Sequence, residues 1–240
     1  MSRRRTAPPL RTIATAAVLA VLGALLTVLA PPASASASPS APAQPAAATA
    51  VRGGEALYGA SYACTLGFNA VSGGTSYGII AGHCADVGST WAVDGESGRV
   101  SVGVTSGASF PGNDYGVVRY TNTSLSYPGE VKGSGGAPVD ITGAADPAPG
   151  MSLCHYGRVG GYRCGTVQAV NLTVNFSGGV VSGLFRSNIC SEPGDTGGPA
   201  FSGGRAVGII VGGSGDCTSG GVTYYQPIKE ILAAYGLTLS

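Results

Sequence analysis

Short apolar runs separated by glycine, asparagine or proline dominate the chain after residue 50. Most of these runs are four to seven residues long and rich in valine, isoleucine and tyrosine, which is typical of short antiparallel strands joined by tight turns. The predicted strands are Cys64–Ala70, Ser76–Ala81, Val100–Thr105, Tyr115–Tyr120, Gly165–Asn171, Thr173–Phe176, Val180–Arg186, Pro199–Phe201, Ala206–Val211 and Val222–Gln226. This pattern predicts an all-β fold, either a barrel or a sandwich.

One helix is predicted near the carboxyl terminus. Four apolar residues recur at helical spacing between Ile228 and Tyr235. Pro227 suits the first turn, and Gly236 can close the last one. A segment rich in glycine and proline, residues 133–150, resembles a connection between two halves of the chain.

The first 50 residues differ from the rest in composition. A basic start with four arginines precedes an uncharged apolar run over residues 12–30, and small residues follow at 33–37. This order predicts a secretory signal peptide over residues 1–37, and therefore a secreted protein. An uncleaved membrane anchor is the alternative for so long an apolar run. Residues 38–50, nearly all Ala, Pro and Ser, are predicted to be a disordered stub because they offer little apolar surface to bury.

Residues 51–240 are long enough to form one domain with a substantial core, or one fold made of two similar halves. They carry nine basic and twelve acidic residues, a net charge of about −3, and no basic run. We therefore do not expect nucleic acid as a partner. Once the signal peptide is removed, we expect a monomer that does not associate with membranes.

Six cysteines fall in the predicted domain. They are Cys64, Cys84, Cys154, Cys164, Cys190 and Cys217. An even number in an exported protein predicts three disulfides, and spacing alone leaves all fifteen pairings open. Metal binding is the competing interpretation, but no C-x-x-C occurs and the two histidines are far apart. We predict neither a metal nor a cofactor.

Three segments contain residues that are unusual for a purely structural β protein. They are AGHC with His83, NDYG with Asp114, and GDTGGP with Thr196. Acyl transfer by a hydroxyl group needs a base, a carboxylate that orients the base, and backbone donors for the oxyanion. The glycines beside Thr196 allow the tight turn that can aim such donors. Each segment alone is compatible with ordinary turn chemistry, but together they predict a hydrolase.

The segments IIAGHC, FPGNDYGVVRY and CSEPGDTGGPAF resemble the active-site segments of streptogrisins and related bacterial chymotrypsin-like serine proteases. The similarity extends over nearly all of residues 51–240. It implies two perpendicular six-stranded antiparallel β-barrels, the first over about 51–135 and the second over about 136–240. The active site would lie between them, and the substrates would be polypeptides.

The resemblance also implies roles for individual residues. His83 matches the general base, Asp114 its orienting carboxylate, and Thr196 the nucleophile position. The backbone N–H groups of Gly194 and Thr196 match the oxyanion hole. The implied disulfides are Cys64–Cys84, Cys154–Cys164 and Cys190–Cys217.

The specificity pocket of the family maps onto residues 187–192 and 211–215. Val211, Gly212 and Gly213 are the candidate substrate-binding residues, because the backbone there can pair with an extended substrate. No aspartate lies in the pocket-base segment 187–189, so we expect large apolar or aromatic side chains rather than Lys or Arg. Glutamate-selective relatives use several histidines, and this chain has only two.

Three departures from the family pattern bear on catalysis. Thr196 replaces a serine, and its β-methyl group restricts χ1 and crowds the path of attack. Val211 replaces a serine that helps to hold Asp114. His155 replaces an arginine that pairs with Asp195, so the oxyanion loop would be pH-sensitive if His155 took over that role. The sequence leaves two hypotheses open, a secreted endopeptidase with a slow nucleophile and a pseudoprotease that acts as a binding module.

Overall fold

The computed structural model describes residues 48–85 and 89–240. The predicted signal peptide and most of the predicted stub lie outside these residues. Within them, the carbonyl oxygen of Ser126 accepts a hydrogen bond from the N–H of Val51 at 2.8 Å. The N–H of Ser126 donates to the carbonyl oxygen of Thr49 at 3.0 Å. The paired backbone therefore begins slightly before the predicted domain start. In the described part of the chain, no helix is long and apolar enough to cross a membrane.

Seventeen strands and one α-helix make up the described fold. The strands up to residue 140 are Ala56–Tyr58 (β1), Ala63–Thr65 (β2), Asn69–Ser72 (β3), Thr75–Ile80 (β4), Thr90–Gly95 (β5), Gly98–Ser109 (β6), Tyr115–Tyr120 (β7), Glu130–Lys132 (β8) and Pro138–Asp140 (β9). The later elements are Gly143–Ala144 (β10), Ser152–Gly157 (β11), Gly161–Phe176 (β12), Gly179–Ser187 (β13), Pro199–Ser202 (β14), Arg205–Asp216 (β15), Gly220–Pro227 (β16), Ile228–Tyr235 (α1) and Thr238–Leu239 (β17).

The first sheet has the order β17-β3-β4-β7-β6-β5-β1-β2 and closes into a barrel. Strands β2 and β3 are two parts of one bent segment, because backbone hydrogen bonds continue between them. Leu66 pairs there with residues 54 and 55, and Gly67 donates to Ile79 at 2.8 Å. The bent segment thus joins β1 to β4 and completes a ring of six strands. The prediction of one strand over Cys64–Ala70 is wrong in this respect, because β2 ends at Thr65 and β3 begins at Asn69.

The second sheet has the order β10-β15-β14-β11-β12-β13-β16, and an additional β15–β16 pairing closes it. The closed ring contains six antiparallel strands, and β10 joins it in parallel with β15. Fully buried Leu153, Phe185 and Tyr225 fill its interior. The prediction of two antiparallel β-barrels is confirmed. Strands Gly165–Asn171 and Thr173–Phe176 are one strand, β12, with a register shift around Asn171, whose φ is 55°.

The predicted carboxyl-terminal helix is confirmed as α1. Ile228 and Ile231 are fully buried in a cluster that also contains Phe68 from the first barrel and Ile209 from the second. The helix ends at Gly236, which is left-handed with φ 60° and donates its N–H to the last turn. Helix α1 therefore packs where residues of both barrels meet, behind the candidate site.

Candidate active site

His83 lies in a short 3-10 turn, Gly82–Cys84, directly after β4. The disulfide between Cys64 and Cys84 holds this turn against the bent segment of the first barrel. Gly82 is required there, because a Cβ atom would lie 2.8 Å from the backbone nitrogen of Tyr115. The His83 side chain remains 37% exposed, so the turn is fixed while the imidazole stays accessible.

Asp114 precedes β7 and is fully buried. Its Oδ2 lies 2.6 Å from His83 Nδ1, and its Oδ1 accepts the backbone N–H of His83 at 2.8 Å. A carboxylate on Nδ1 favours the tautomer with the proton on that nitrogen, which leaves Nε2 as the basic atom. The structure therefore brings His83 and Asp114 together in the arrangement of a base and its orienting carboxylate.

Two residues that the sequence did not identify hold Asp114 from behind. The backbone N–H of Asp114 donates to Gln226 Oε1 at 2.9 Å. Gln226 is fully buried, and its Nε2 donates to Glu230 Oε2 at 2.8 Å. Helix α1 is thereby coupled to the main chain of Asp114 through one glutamine side chain.

Val211 provides no donor to Asp114. Its side chain is 3% exposed and packs in an apolar cluster with Val181 and Leu184. Among the described residues, only His83 donates to the Asp114 carboxylate. The loss of a donor at position 211 therefore leaves the carboxylate dependent on His83 alone.

Thr196 lies in a turn that is tied to both barrels. Its carbonyl accepts the N–H of Thr65 at 2.8 Å, and the hydroxyl of Thr65 donates to the carbonyl of Gly194 at 2.8 Å. Gly194 has φ 103° and Gly197 has φ 88°, conformations that disfavour other residues. The N–H groups of Gly194 and Thr196 donate to none of the described residues. Both donors are therefore free to bind an oxyanion.

Asp195 is fully buried beneath this turn, and backbone donors hold its carboxylate. Oδ1 accepts the N–H groups of Val159 and Gly160 at 2.9 Å each, and Oδ2 accepts that of Glu192 at 2.9 Å. His155 instead bonds through Nδ1 to the Tyr225 hydroxyl at 2.9 Å. In the structure, backbone N–H groups therefore bind the Asp195 carboxylate, and His155 forms no ion pair with it.

Burial lowers the pKa of His155 to about 4, and this effect outweighs the opposing influence of nearby Asp195. The imidazole is fully buried, and its Nε2 has no hydrogen-bond partner within the described residues. His155 is therefore neutral at pH 7 and does not act as the cation that would replace an arginine.

This neutral histidine predicts acid-sensitive stability. The unfolded chain protonates His155 near pH 6.5, whereas the folded chain does so near pH 4, so the unfolded state binds more protons between these values. From pH 7 to pH 4.5, the free energy of unfolding should fall by about 2 kcal/mol more than in a His155→Gln variant. Urea titrations of both proteins across this range measure the difference. Parallel pH profiles would mean that folded His155 takes up the proton after all.

Two adjacent cavities border the candidate site. One, of about 170 Å³, is lined by Thr196, Gly212, Gly213, Glu192 and neighbouring residues of the same two segments. The other, of about 300 Å³, is lined by His83, Phe110, Phe176, Ser177, Gly178 and Val211. Val211 and Gly212 are consecutive in β15, so His83 and Thr196 border neighbouring cavities. All three candidate substrate-binding residues thus lie at the site.

The pocket-base segment, residues 187–189, is placed differently from the other residues of the predicted specificity pocket. The Ser187 hydroxyl bonds to the Tyr225 hydroxyl at 2.8 Å and accepts the N–H of Ile189 at 3.1 Å. Neither Ser187 nor Ile189 lines the cavity beside Thr196, whereas the carboxylate-bearing Glu192 does. One oxygen of Glu192 accepts the N–H of Cys217 at 2.9 Å.

The structure contains three disulfides in the pairing that the resemblance implies. They are Cys64–Cys84, Cys154–Cys164 and Cys190–Cys217. The second bridges paired positions of the β11–β12 hairpin, whose turn holds Asp195. Across the part of the chain that is described, no group of three His, Cys, Asp or Glu residues could hold a metal ion.

Comparison with known proteins places the chain among bacterial serine proteases. Streptogrisin-D of Streptomyces griseus is 43% identical over 187 residues, which cover 78% of this chain and 47% of that protein. Serine protease 2 of Streptomyces fradiae is 45% identical over 177 residues, which cover 72% of this chain and 100% of that protein. The solved structure of alpha-lytic protease homolog N4 is 52% identical with a TM-score of 0.72, and the match covers 80% of this chain and 100% of that one.

No protein-family model matches the chain. The chain spans about half the length of streptogrisin-D but the whole of the other two proteins. Because relatives of this identity are covered from end to end, the chain belongs to the streptogrisin and alpha-lytic-protease-like family of chymotrypsin-fold serine proteases.

Proposed function

We propose that this protein is a secreted endopeptidase that uses Thr196 as its nucleophile. The observation that carries the proposal is the pair of hydrogen bonds from His83 to the buried Asp114 carboxylate. A fully buried carboxylate with no other donor is costly unless it serves the histidine. Three disulfides support export to an oxidising environment.

In the proposed reaction, each of these groups has one role. The Thr196 hydroxyl attacks the scissile carbonyl while His83 Nε2 accepts its proton, and Asp114 stabilises the resulting imidazolium. The carbonyl oxygen becomes an oxyanion that binds the free N–H groups of Gly194 and Thr196. His83 then donates the proton to the leaving amine as the C–N bond breaks. Water, activated in turn by His83, hydrolyses the acyl-enzyme ester and regenerates the Thr196 hydroxyl.

The two cavities support a preference for apolar residues on the acyl side. The cavity beside Thr196 would receive the side chain that precedes the scissile bond, and Gly212 and Gly213 leave its entrance open. The neighbouring cavity presents the aromatic rings of Phe110 and Phe176, so it would receive another apolar residue. Glu192 is the one charged residue lining either cavity, and a backbone N–H already occupies one of its oxygens.

A peptide library tests the activity and the preference together. We expect cleavage after Phe, Tyr or Leu in preference to Lys, Arg or Glu, because a charged side chain would lose its hydration in these cavities. Mass spectrometry of the products identifies the cleaved bonds. A His83→Ala variant is the control, and it should lose the cleavage because no other base replaces His83. Preferred cleavage after Lys or Arg would show that Glu192 governs the pocket instead.

The second candidate is a pseudoprotease that binds polypeptides without turning them over. Two observations favour it, the threonine at position 196 and the apolar Val211, which donates no hydrogen bond to Asp114. This alternative expects peptides to bind in the cleft with no products. Products that disappear in the His83→Ala variant would exclude it.

A further inference from the structure

Arg158 lies beside the oxyanion loop, and no step of the proposed reaction uses its side chain. It occupies the turn between β11 and β12, and its N–H donates to the Thr65 hydroxyl at 3.2 Å. The next two N–H groups of the turn bind Asp195. A Cβ atom on Gly194 would lie only 2.6 Å from Arg158 Nη2. The guanidinium therefore fills the space that a side chain at position 194 would occupy.

The two cavities indicate which part of a substrate reaches Arg158. Both adjoin the segment from Val211 to Gly213, so the acyl part of a substrate occupies that side of Thr196. The amine that leaves must depart from the other side. That side is bounded by Thr65 and Arg158, which contact Gly194. Arg158 therefore borders the path of the leaving group.

The charge of Arg158 is not neutralised. Its side chain is exposed, and it forms no ion pair with any residue that the structure describes. Nearby, Arg99 stacks on the ring of Tyr58 at 3.7 Å, and the Tyr58 hydroxyl donates to Asp94 at 2.8 Å. The bond to Asp94 raises the pKa of Tyr58, and the charges of Arg99 and Arg158 oppose that rise. Tyr58 and Asp94 thus bind each other, and none of the four ion pairs among the described residues includes Arg158.

We propose that Arg158 forms a carboxylate-binding subsite for the leaving-group side of the substrate. The protease then prefers Asp or Glu within the first two residues after the scissile bond. A guanidinium offers two parallel N–H donors that match a carboxylate, and its planar group is already positioned over Gly194. This subsite rests on the proposed function, because the two sides of Thr196 are defined by the reaction.

Quenched fluorescent peptides test the subsite. They share Phe before the scissile bond and carry Glu, Gln or Lys at the first or second position after it. We expect kcat/KM for Glu to exceed that for Lys by about fivefold at low salt, the size of an exposed ion pair, and the ratio to shrink in 0.5 M salt. Arg158→Gln should abolish the ratio. Arg119→Gln, which removes an exposed arginine of β7, should keep it.

Binding of the same peptides to a His83→Ala variant separates the subsite from the activity. If the wild type cleaves nothing but the Glu peptide binds more tightly than the Lys peptide, and Arg158→Gln removes this difference, the subsite stands without the enzyme. Cleavage without a Glu preference overturns the subsite and leaves the enzyme intact. An equal loss of rate on all three peptides in Arg158→Gln also overturns it, because Arg158 would then stabilise the oxyanion. If the protein shows no cleavage and no charge-dependent binding, both the subsite and the proposed enzyme activity are overturned.

Discussion

Replacing Thr196 by serine should raise the rate of acylation about tenfold or more, which corresponds to about 1.4 kcal/mol of transition-state stabilisation. The substitution removes one methyl group and restores freedom about χ1. Thr196 is held through its backbone carbonyl by Thr65, so the position of the main chain should not change. The His83–Asp114 pair and the two oxyanion donors stay in place. The gain should therefore appear in kcat more than in KM.

Burst kinetics with an activated ester measure this effect directly. The amplitude counts competent sites and the rate reports acylation. A Thr196→Ala variant, which lacks the hydroxyl, is the matched control and should show no burst. If folded, disulfide-intact Thr196→Ser protein also shows no burst, the enzyme hypothesis fails and the pseudoprotease hypothesis remains.

A second substitution identifies the cause of a small gain. Val211 leaves the Asp114 carboxylate with donors from His83 only. If Thr196→Ser changes little but Thr196→Ser combined with Val211→Ser gains strongly, the carboxylate limits the reaction rather than the nucleophile. If Thr196→Ser alone gives the tenfold gain and the added Val211→Ser changes nothing further, the limitation lies at position 196.

The candidate site residues that could be predicted from the sequence are those that stand near glycine in short, unusual segments. His83 and Asp114 are 31 positions apart, yet each stands in a short segment whose composition is informative. Gln226 was not predictable in the same way. It follows an ordinary strand pattern, and its partner, the N–H of Asp114, is 112 positions away. A hydrogen bond from a backbone N–H to a side chain that far along the sequence leaves no signal in residue type or spacing.

Two strands, β11 and β5, were missed by the sequence pattern for physical reasons. In β11, alternate residues face inward, but the middle one is His155, and a buried polar residue hides the apolar alternation. In β5, only Trp91 and Val93 are buried, so the apolar run is too short to indicate a strand. The pairing of β11 with β12 and β14 sets the position of the turn that holds Asp195, so its location depended on the three-dimensional fold.

Gly157 is the last residue before that turn, and its replacement should have the other large effect on the site. A Cβ atom at this position would overlap the carboxyl group of Asp195, which is fully buried with three backbone donors. Gly157 is not among the glycines with positive φ, so its backbone conformation accommodates alanine. The collision with Asp195 is therefore the main consequence of adding a methyl group. Asp195 must shift, and it carries the adjacent N–H of Thr196 with it.

We expect Gly157→Ala to lower the acylation rate by about a hundredfold or more, the usual cost of losing one oxyanion donor. The overpacking should also reduce the free energy of unfolding by about 1–3 kcal/mol. Acylation is best measured in the Thr196→Ser background, and stability by urea unfolding of the same protein. Gly59→Ala is the matched control, because its Cβ would have no neighbour closer than 3.6 Å, and it should preserve both quantities. If Gly157→Ala retained the acylation rate, the position of Asp195 would not govern the oxyanion loop. The oxyanion role of the Thr196 N–H would then lose its structural support.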